Sequence, residues 1–349
     1  MVTDLVYRDI FIEHEMSRGH PESPERLRSA MNAISNAGLL NGQKVNLLTP
    51  KKAPLDEVYA LHGKAYLEGI RAKSEKGGGM YTMDTSVNSY TYDAALYAAG
   101  GGIDAVDRVM QGESENGFLL CRPPGHHAEH NQALGFCFIN NIAVAAKHLL
   151  QKHNVQRVMI VDYDAHHGNG TQSSFYSTKD VLYVGLHQDG RTLFPGSGFA
   201  NEIGMGEGEG YTVNLAMYPG AGDYSYEEAF SKVIVPLAES YHPEFILASV
   251  GFDSHFLDPL TNLGLTTTGF AMMNTRLKEI ANRHADGKLV CFLEGGYNLD
   301  VMGMCSLILL QELVGMDITS FDDHHKESTI ASEYTGKLIE KIVADSPLL

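Results

Sequence analysis

Short apolar runs alternate with longer mixed stretches from one end of the chain to the other. The runs are G-F-L-L-C from Gly117, V-M-I-V from Val158, V-L-Y-V-G-L-H (181–187), Y-T-V-N-L (211–215), F-I-L-A-S-V-G-F-D (245–253) and L-V-C-F-L-E-G-G-Y (289–297), with an early strand at Leu5 to Tyr7. Hydrophobic runs without polar alternation suit strands of a parallel sheet covered on both faces. Helices are predicted from Ser23–Pro24 to near Leu39, then over 54–74, 91–111, 140–153, 226–240, 268–284 and 300–314. Ser23 offers a capping hydroxyl, and Pro24 suits the first helical position. Three successive glycines in the 91–111 stretch imply close approach of a neighbour. The segment from Gly77 reads as a loop. Strand alternating with helix predicts an α/β fold: one open parallel β-sheet of about eight strands, flanked by helices. The whole chain, 1–349, reads as a single domain, its core at 5–315. The more polar tail, 317–349, is expected to lie on the surface or fray.

Composition narrows the partners. A net charge of -17 argues against binding a phosphate backbone, so no nucleic acid is expected, whereas such a field attracts cationic ligands. Cys121, Cys137, Cys291 and Cys305 have no C-x-x-C spacing, which favours reduced, buried thiols. No basic-then-apolar leader opens the chain, and no run approaches the roughly 20 apolar residues of a membrane span. A cytoplasmic protein is expected. The oligomeric state does not follow, and a homo-oligomer is compatible with the sequence.

The densest chemistry lies at 157–170, R-V-M-I-V-D-Y-D-A-H-H-G-N-G. Asp162, Asp164, His166, His167 and Asn169 crowd the end of an apolar run. In an extended chain Asp162, Asp164 and His166 share one face. Two carboxylates and an imidazole held together out of water call for a cation. Ligands in open α/β sheets bind beyond the carboxyl ends of the strands. Other runs end there too, at His126 and His127, at His187, at Asp253 and at Tyr297. A lone histidine such as His187 is more often structural than a ligand.

Asp164, His166 and Asp253 provide one nitrogen and two oxygens, a catalytic-type set that leaves a position for water and substrate. His126 and His127 suit proton transfer near neutral pH, with Asp162 and Asn169 available to orient them. Tyr297, in a Gly-Gly-Tyr turn, is placed to donate to an oxyanion. Arg26 falls in a helix's first turn, where the dipole disfavours a cation, so an anionic partner is expected elsewhere.

These residues sit within R-P-P-G-H-H-A (122–128), G-F-C-F-I-N-N from Gly135, D-Y-D-A-H-H-G-N-G, L-F-P-G-S-G from Leu193, G-F-D-S-H-F-L-D-P-L from Gly251 and E-G-G-Y-N-L from Glu294. Over 5–315 the chain resembles the arginase-fold deacetylases, which include histone deacetylases and acetylpolyamine amidohydrolases. Asn169, H-P-E-S-P-E-R and G-F-D-S-H resemble the class II-like prokaryotic branch. The resemblance implies Zn²⁺, with Fe²⁺ an alternative, on Asp164, His166 and Asp253. It also implies that Asp162 backs His126 and Asn169 backs His127, and that Tyr297 is catalytic. Phe136 and Phe194 would wall a narrow tunnel, the Gly135 carbonyl would accept a substrate amide, and Asp84 would grip substrate at the rim. Arg26 corresponds to an internal-cavity arginine. Structural K⁺ is implied at Asp162, Asp164, His166, Gly185 and Leu186, and at an outer site formed by Phe175, Thr178 and Val181.

The implied activity is hydrolysis of an acetylated primary amine, acetyl-lysine or an acetylated polyamine. Leu260 stands where some polyamine-selective members carry glutamate, which leans toward acetyl-lysine, although Glu22 or Asp84 could supply an acid instead. A dinuclear manganese ureohydrolase would need an aspartate at position 168, which is Gly168, and a second carboxylate at position 255, which is His255. A silent acyl-lysine reader would not need the histidine pair or Tyr297.

Overall fold

The computed structural model describes residues 2–349. Its strands, in chain order, are β1 (Thr3–Val6), β2 (Val45–Leu48), β3 (Gly78–Met80), β4 (Ser86–Asn88), β5 (Asn116–Leu119), β6 (Val158–Asp162), β7 (Val181–Gln188), β8 (Thr212–Met217), β9 (Phe245–Val250) and β10 (Leu289–Leu293). Eight form one parallel sheet in the order β2-β1-β5-β10-β9-β6-β7-β8, and β3 pairs with β4 in a small antiparallel hairpin. Helices cover both faces, so every residue of β5 to β10 is buried. This burial explains the uninterrupted apolar runs.

Between β5 and β6 the chain skips the places later taken by β10 and β9. The carboxyl ends of β5, β10, β9 and β6 therefore stand side by side at a switch in strand order, where open sheets form their crevices.

The long helix Thr91–Met110 lies close against the sheet. A Cβ on its Gly102 would come within 2.6 Å of the Phe292 ring on β10, which is the close approach its glycines predict. Several local expectations need correction. The predicted helix over 54–74 is two helices, Leu55–Tyr59 and Lys64–Glu75. Ser23 occupies the N-cap of the helix Pro24–Asn36 but makes no side-chain capping bond. Edge strand β2 buries only Val45 and, with Asn46 within it, gives no apolar run. The tail does not fray: Thr329–Asp345 is a helix whose Ala331, Leu338, Ile339 and Ile342 are buried. Among the described residues, no helix is long and apolar enough to cross a membrane.

Candidate active site

Strand β6 ends at Asp162, and the chain then leaves the sheet in a bend that carries Asp164 and His166. Asp253 follows β9 by three residues. His166 Nδ1 lies 2.9 Å from Asp253 Oδ2 and 3.3 Å from Asp164 Oδ1. The outer oxygens are also held. Asp164 Oδ2 accepts the Gly295 N–H at 2.7 Å, and Asp253 Oδ1 accepts the Ala165 N–H at 2.9 Å. Asp162 does not join this face, contrary to the extended-chain reading. Strand geometry lapses after it, and its carboxylate turns to His126 instead.

Burial depresses the His166 ring, but Asp164 and Asp253 push it up to about 10. Burial and the charge of Asp164 raise Asp253. Two carboxylates meeting in the interior carry a large desolvation cost that a cation offsets. The three ligand atoms lie within 4.8 Å of one another. One imidazole nitrogen and two carboxylate oxygens fit a zinc-like ion.

His126 and His127 follow β5, their rings 4.0 Å apart between centroids. The buried Glu294, at the end of β10, fixes this turn. Its Oε2 accepts the N–H groups of Gly125 at 2.7 Å and His126 at 3.1 Å. His126 Nδ1 faces Asp162 Oδ2 at 3.1 Å, and His127 Nδ1 faces Asn169 Oδ1 at 2.8 Å. These unequal partners separate the two rings. Burial opposes charge on His126, but Asp164, Asp162 and Glu294 raise it to about 10. Burial, with His126 and His166 nearby, drives His127 well below its ordinary value. Side by side, the two rings are shifted in opposite directions by different partners.

Above them opens a pocket of about 250 Å³ lined by Asp84, His127, Gly135, Phe136, His166, Leu193, Phe194, Leu260 and Tyr297. The Phe136 ring meets Tyr297 edge-on at 6.0 Å, and Phe194 meets His127 at 5.2 Å. Gly135 and Phe136 both have positive φ, 52° and 68°. A Cβ on Gly135 would stand 2.3 Å from the His127 ring. The Gly135 carbonyl lies 3.3 Å from the Cys137 thiol. Burial raises the Tyr297 hydroxyl well above its ordinary value, so it stays a donor. At the exposed mouth, Asp84 Oδ1 accepts from Thr82 Oγ1 at 2.7 Å and Thr85 Oγ1 at 3.0 Å.

Arg26 lies beneath Tyr297, fully buried, its guanidinium carbon 5.0 Å from the ring centroid. It donates to the Gly296 and Glu294 carbonyls at 2.6 Å each and to Glu22 Oε1 at 3.1 Å. The anionic partner is therefore Glu22, one turn away. Arg122 clamps the same carboxylate, with Nη2 2.7 Å from Oε2 and Nε on Oε1. Glu22 is buried between two arginines, so it is no acid at the pocket mouth.

Other sequence candidates lie elsewhere. His187 is buried on β7, 2.9 Å from the Gly198 carbonyl, and His167 turns away to Ser197 and Gln172. Gly185 pairs in register with Asp162, and Leu186 follows it on β7. Phe175 ends the helix Asn169–Phe175, the Thr178 N–H donates to its carbonyl at 3.2 Å, and Val181 begins β7. Sequence reasoning missed Glu294 and Asp258. Asp258 accepts the Leu260 N–H at 2.9 Å and the Tyr297 N–H at 2.7 Å, joining pocket mouth to floor. Both acids lie inside quoted motifs: Glu294 directly follows the apolar run of β10, a signal that could have found it, whereas Asp258 lies in a loop with no such mark.

Residues 20–313 match the model of the histone deacetylase domain. A probable deacetylase of Archaeoglobus fulgidus is 41% identical over 92% of this chain and 88% of its own length. A histone deacetylase-like amidohydrolase of Pseudomonas aeruginosa is 37% identical over 88% of this chain and 80% of its own length. The crystal structure of the HDA15 HD domain superposes with a TM-score of 0.90 at 32% identity, over 99% of this chain and 96% of that one. An open parallel sheet with a metal-ligand cluster and a paired-histidine pocket defines a hydrolase of the deacetylase class. The chain belongs to the histone deacetylase family.

Proposed function

We propose that this chain is a zinc-dependent deacetylase of acetylated primary amines, with acetyl-lysine in a protein or peptide as the favoured substrate class. The observation that carries the reading is the pocket itself. Phe136, Phe194, Leu193 and Leu260 line its walls, and His127, His166 and Tyr297 are grouped in the same lining. Such a lining suits an extended methylene chain that ends in an acyl amide.

Asp164, His166 and Asp253 would hold the ion, which would supply Lewis acidity to the attacking water and the amide carbonyl. His127, oriented by Asn169, would act as general base toward the attacking water. His126 stays charged beside Asp162 and stabilises the negative charge that develops next to it. The Tyr297 hydroxyl donates to the carbonyl oxygen as charge builds there. His127 returns its proton to the departing nitrogen, leaving acetate and a primary amine. Structural K⁺ at the carbonyls and carboxylates named above belongs to the same proposal.

Deacetylation of polyamines is the second reading, favoured by the free Oδ2 of Asp84 at the mouth. Leu260 opposes it, because it places no acid where a distal ammonium would sit. Initial rates on an acetyl-lysine peptide, acetylputrescine and acetylspermidine decide between them, with metal-stripped protein as blank. Preference for the peptide supports the proposal. Preference for the polyamines transfers the function to the second reading, and turnover of none of them by zinc-loaded protein overturns both.

A further inference from the structure

A second group of metal-ligating side chains lies outside the active site. It joins the helix Thr91–Met110, which carries Asp107, to the helix Asn141–Lys152, which carries His148 and is capped by His153. Asp107 Oδ1 stands 2.7 Å from His148 Nε2 and 2.6 Å from His153 Nε2. Two ring nitrogens therefore converge on one carboxylate oxygen, and the three ligand atoms lie within 4.8 Å of one another.

The other side of His148 is also occupied. Its Nδ1 lies 2.5 Å from Glu57 Oε2, on the short helix Leu55–Tyr59. A neutral imidazole has a single N–H, so His148 cannot donate to carboxylates at both nitrogens without an added positive charge. If Nδ1–H donates to Glu57, the Nε2 lone pair faces Asp107, which is repulsive unless a cation lies between them. A carboxylate accepting the remote N–H is the usual support of a metal-bound histidine, because it fixes the tautomer and ring orientation. His148 is almost completely buried, whereas Asp107 and His153 side chains are 33% and 19% exposed. Solvent can reach the site and complete the coordination. The C-terminal end of the helix, where His153 sits, favours positive charge.

We propose that Asp107, His148 and His153 form a second metal site, oriented by Glu57, for a zinc-class divalent ion. Two imidazoles and one carboxylate suit Zn²⁺, Co²⁺ or Ni²⁺, whereas Ca²⁺ and Mg²⁺ prefer oxygen donors. The ion would staple two helices, Thr91–Met110 and Asn141–Lys152, with Glu57 tying in the third through His148. Its role is structural: the site lies outside the catalytic pocket, and no residue is common to both.

The test is a titration of metal-stripped full-length protein with Zn²⁺ against a chromophoric competing chelator. The native chain should take up one tight equivalent more than His153→Ala or Asp107→Asn. Both variants should keep their zinc-restored hydrolytic rate. Zinc should also raise the melting temperature of the native chain more than that of either variant, because a ligand bound only by the folded state stabilises it. Co²⁺ substitution adds a readout on the native chain alone, since the absorption of a second cobalt should disappear in His153→Ala. Equal zinc uptake by all three proteins overturns the proposal. A single tight equivalent in the native chain also overturns it and makes the cluster a metal-free hydrogen-bond network.

Discussion

His127 Nδ1 lies 2.8 Å from the side-chain oxygen of Asn169, a neutral partner, although its neighbour His126 is backed by the Asp162 carboxylate. The amide orients His127 without adding negative charge. Asn169→Asp should therefore favour the protonated ring and raise its pKa. The base form would appear only at higher pH, so the acid limb of kcat/KM should move up by about one to two pH units. An unchanged limb would remove His127 from the role of base.

Tyr297 lines the pocket floor, and burial keeps its hydroxyl protonated. Tyr297→Phe should leave metal content unchanged and lower kcat by roughly 10²- to 10³-fold, the usual cost of a lost oxyanion donor. Rates within a few fold of the native enzyme would take the phenol out of the mechanism.

Gly135 has φ +52°, and its missing side chain leaves room for the His127 ring. Gly135→Ala would force the ring away or the loop open. A displacement of about 1 Å near reacting groups costs on the order of 10²-fold. Turnover should fall by that order while far-ultraviolet circular dichroism stays native. A native rate would show that the loop relaxes freely.

Glu22 links stability to pH. Burial alone would raise its pKa, but Arg122 and Arg26 hold the carboxyl down to about 2, from an ordinary 4.5. A depressed carboxylate stabilises the fold fully above its unfolded pKa and loses that contribution as pH falls through the folded value. The contribution is on the order of 3 kcal/mol at neutral pH and fades between about pH 5 and 2. Glu22→Gln should be strongly destabilised at pH 7, with the gap to the native protein narrowing toward pH 3. Urea midpoints at the two pH values measure this, and a constant gap would contradict it.

Leu260 is partly exposed at the mouth, anchored through its N–H to Asp258. Leu260→Glu should raise kcat/KM for acetylspermidine relative to an acetyl-lysine peptide by roughly 3- to 10-fold, the scale of one partly exposed ion pair. The gain should shrink with added salt. No change in the ratio would mean that selectivity is set elsewhere.

The strands that frame the site were legible because a parallel sheet buried on both faces demands uninterrupted apolar runs. Their endings disclosed Asp164, His166, Asp253, His126, His127 and Tyr297, since polar groups abruptly following such runs must lie at the sheet edge. Edge strand β2 and the terminal helix escape such a reading because β2 buries only Val45 and the helix buries one face only, leaving mixed patterns.

Other features depended on distance in the folded chain. Strand order brings β5, β10, β9 and β6 together although their sequence separations are large. Glu22 is 100 residues from Arg122 and Asp258 is 39 from Tyr297, so no local pattern pairs them. The opposite pKa shifts of His126 and His127 also belong to the tertiary structure. Adjacent identical residues acquire opposite shifts because different distant side chains face their rings. Residue types and local periodicity thus determined which groups could do chemistry, whereas packing decided which partner each group met, because electrostatic and hydrogen-bond energies depend on separation in space.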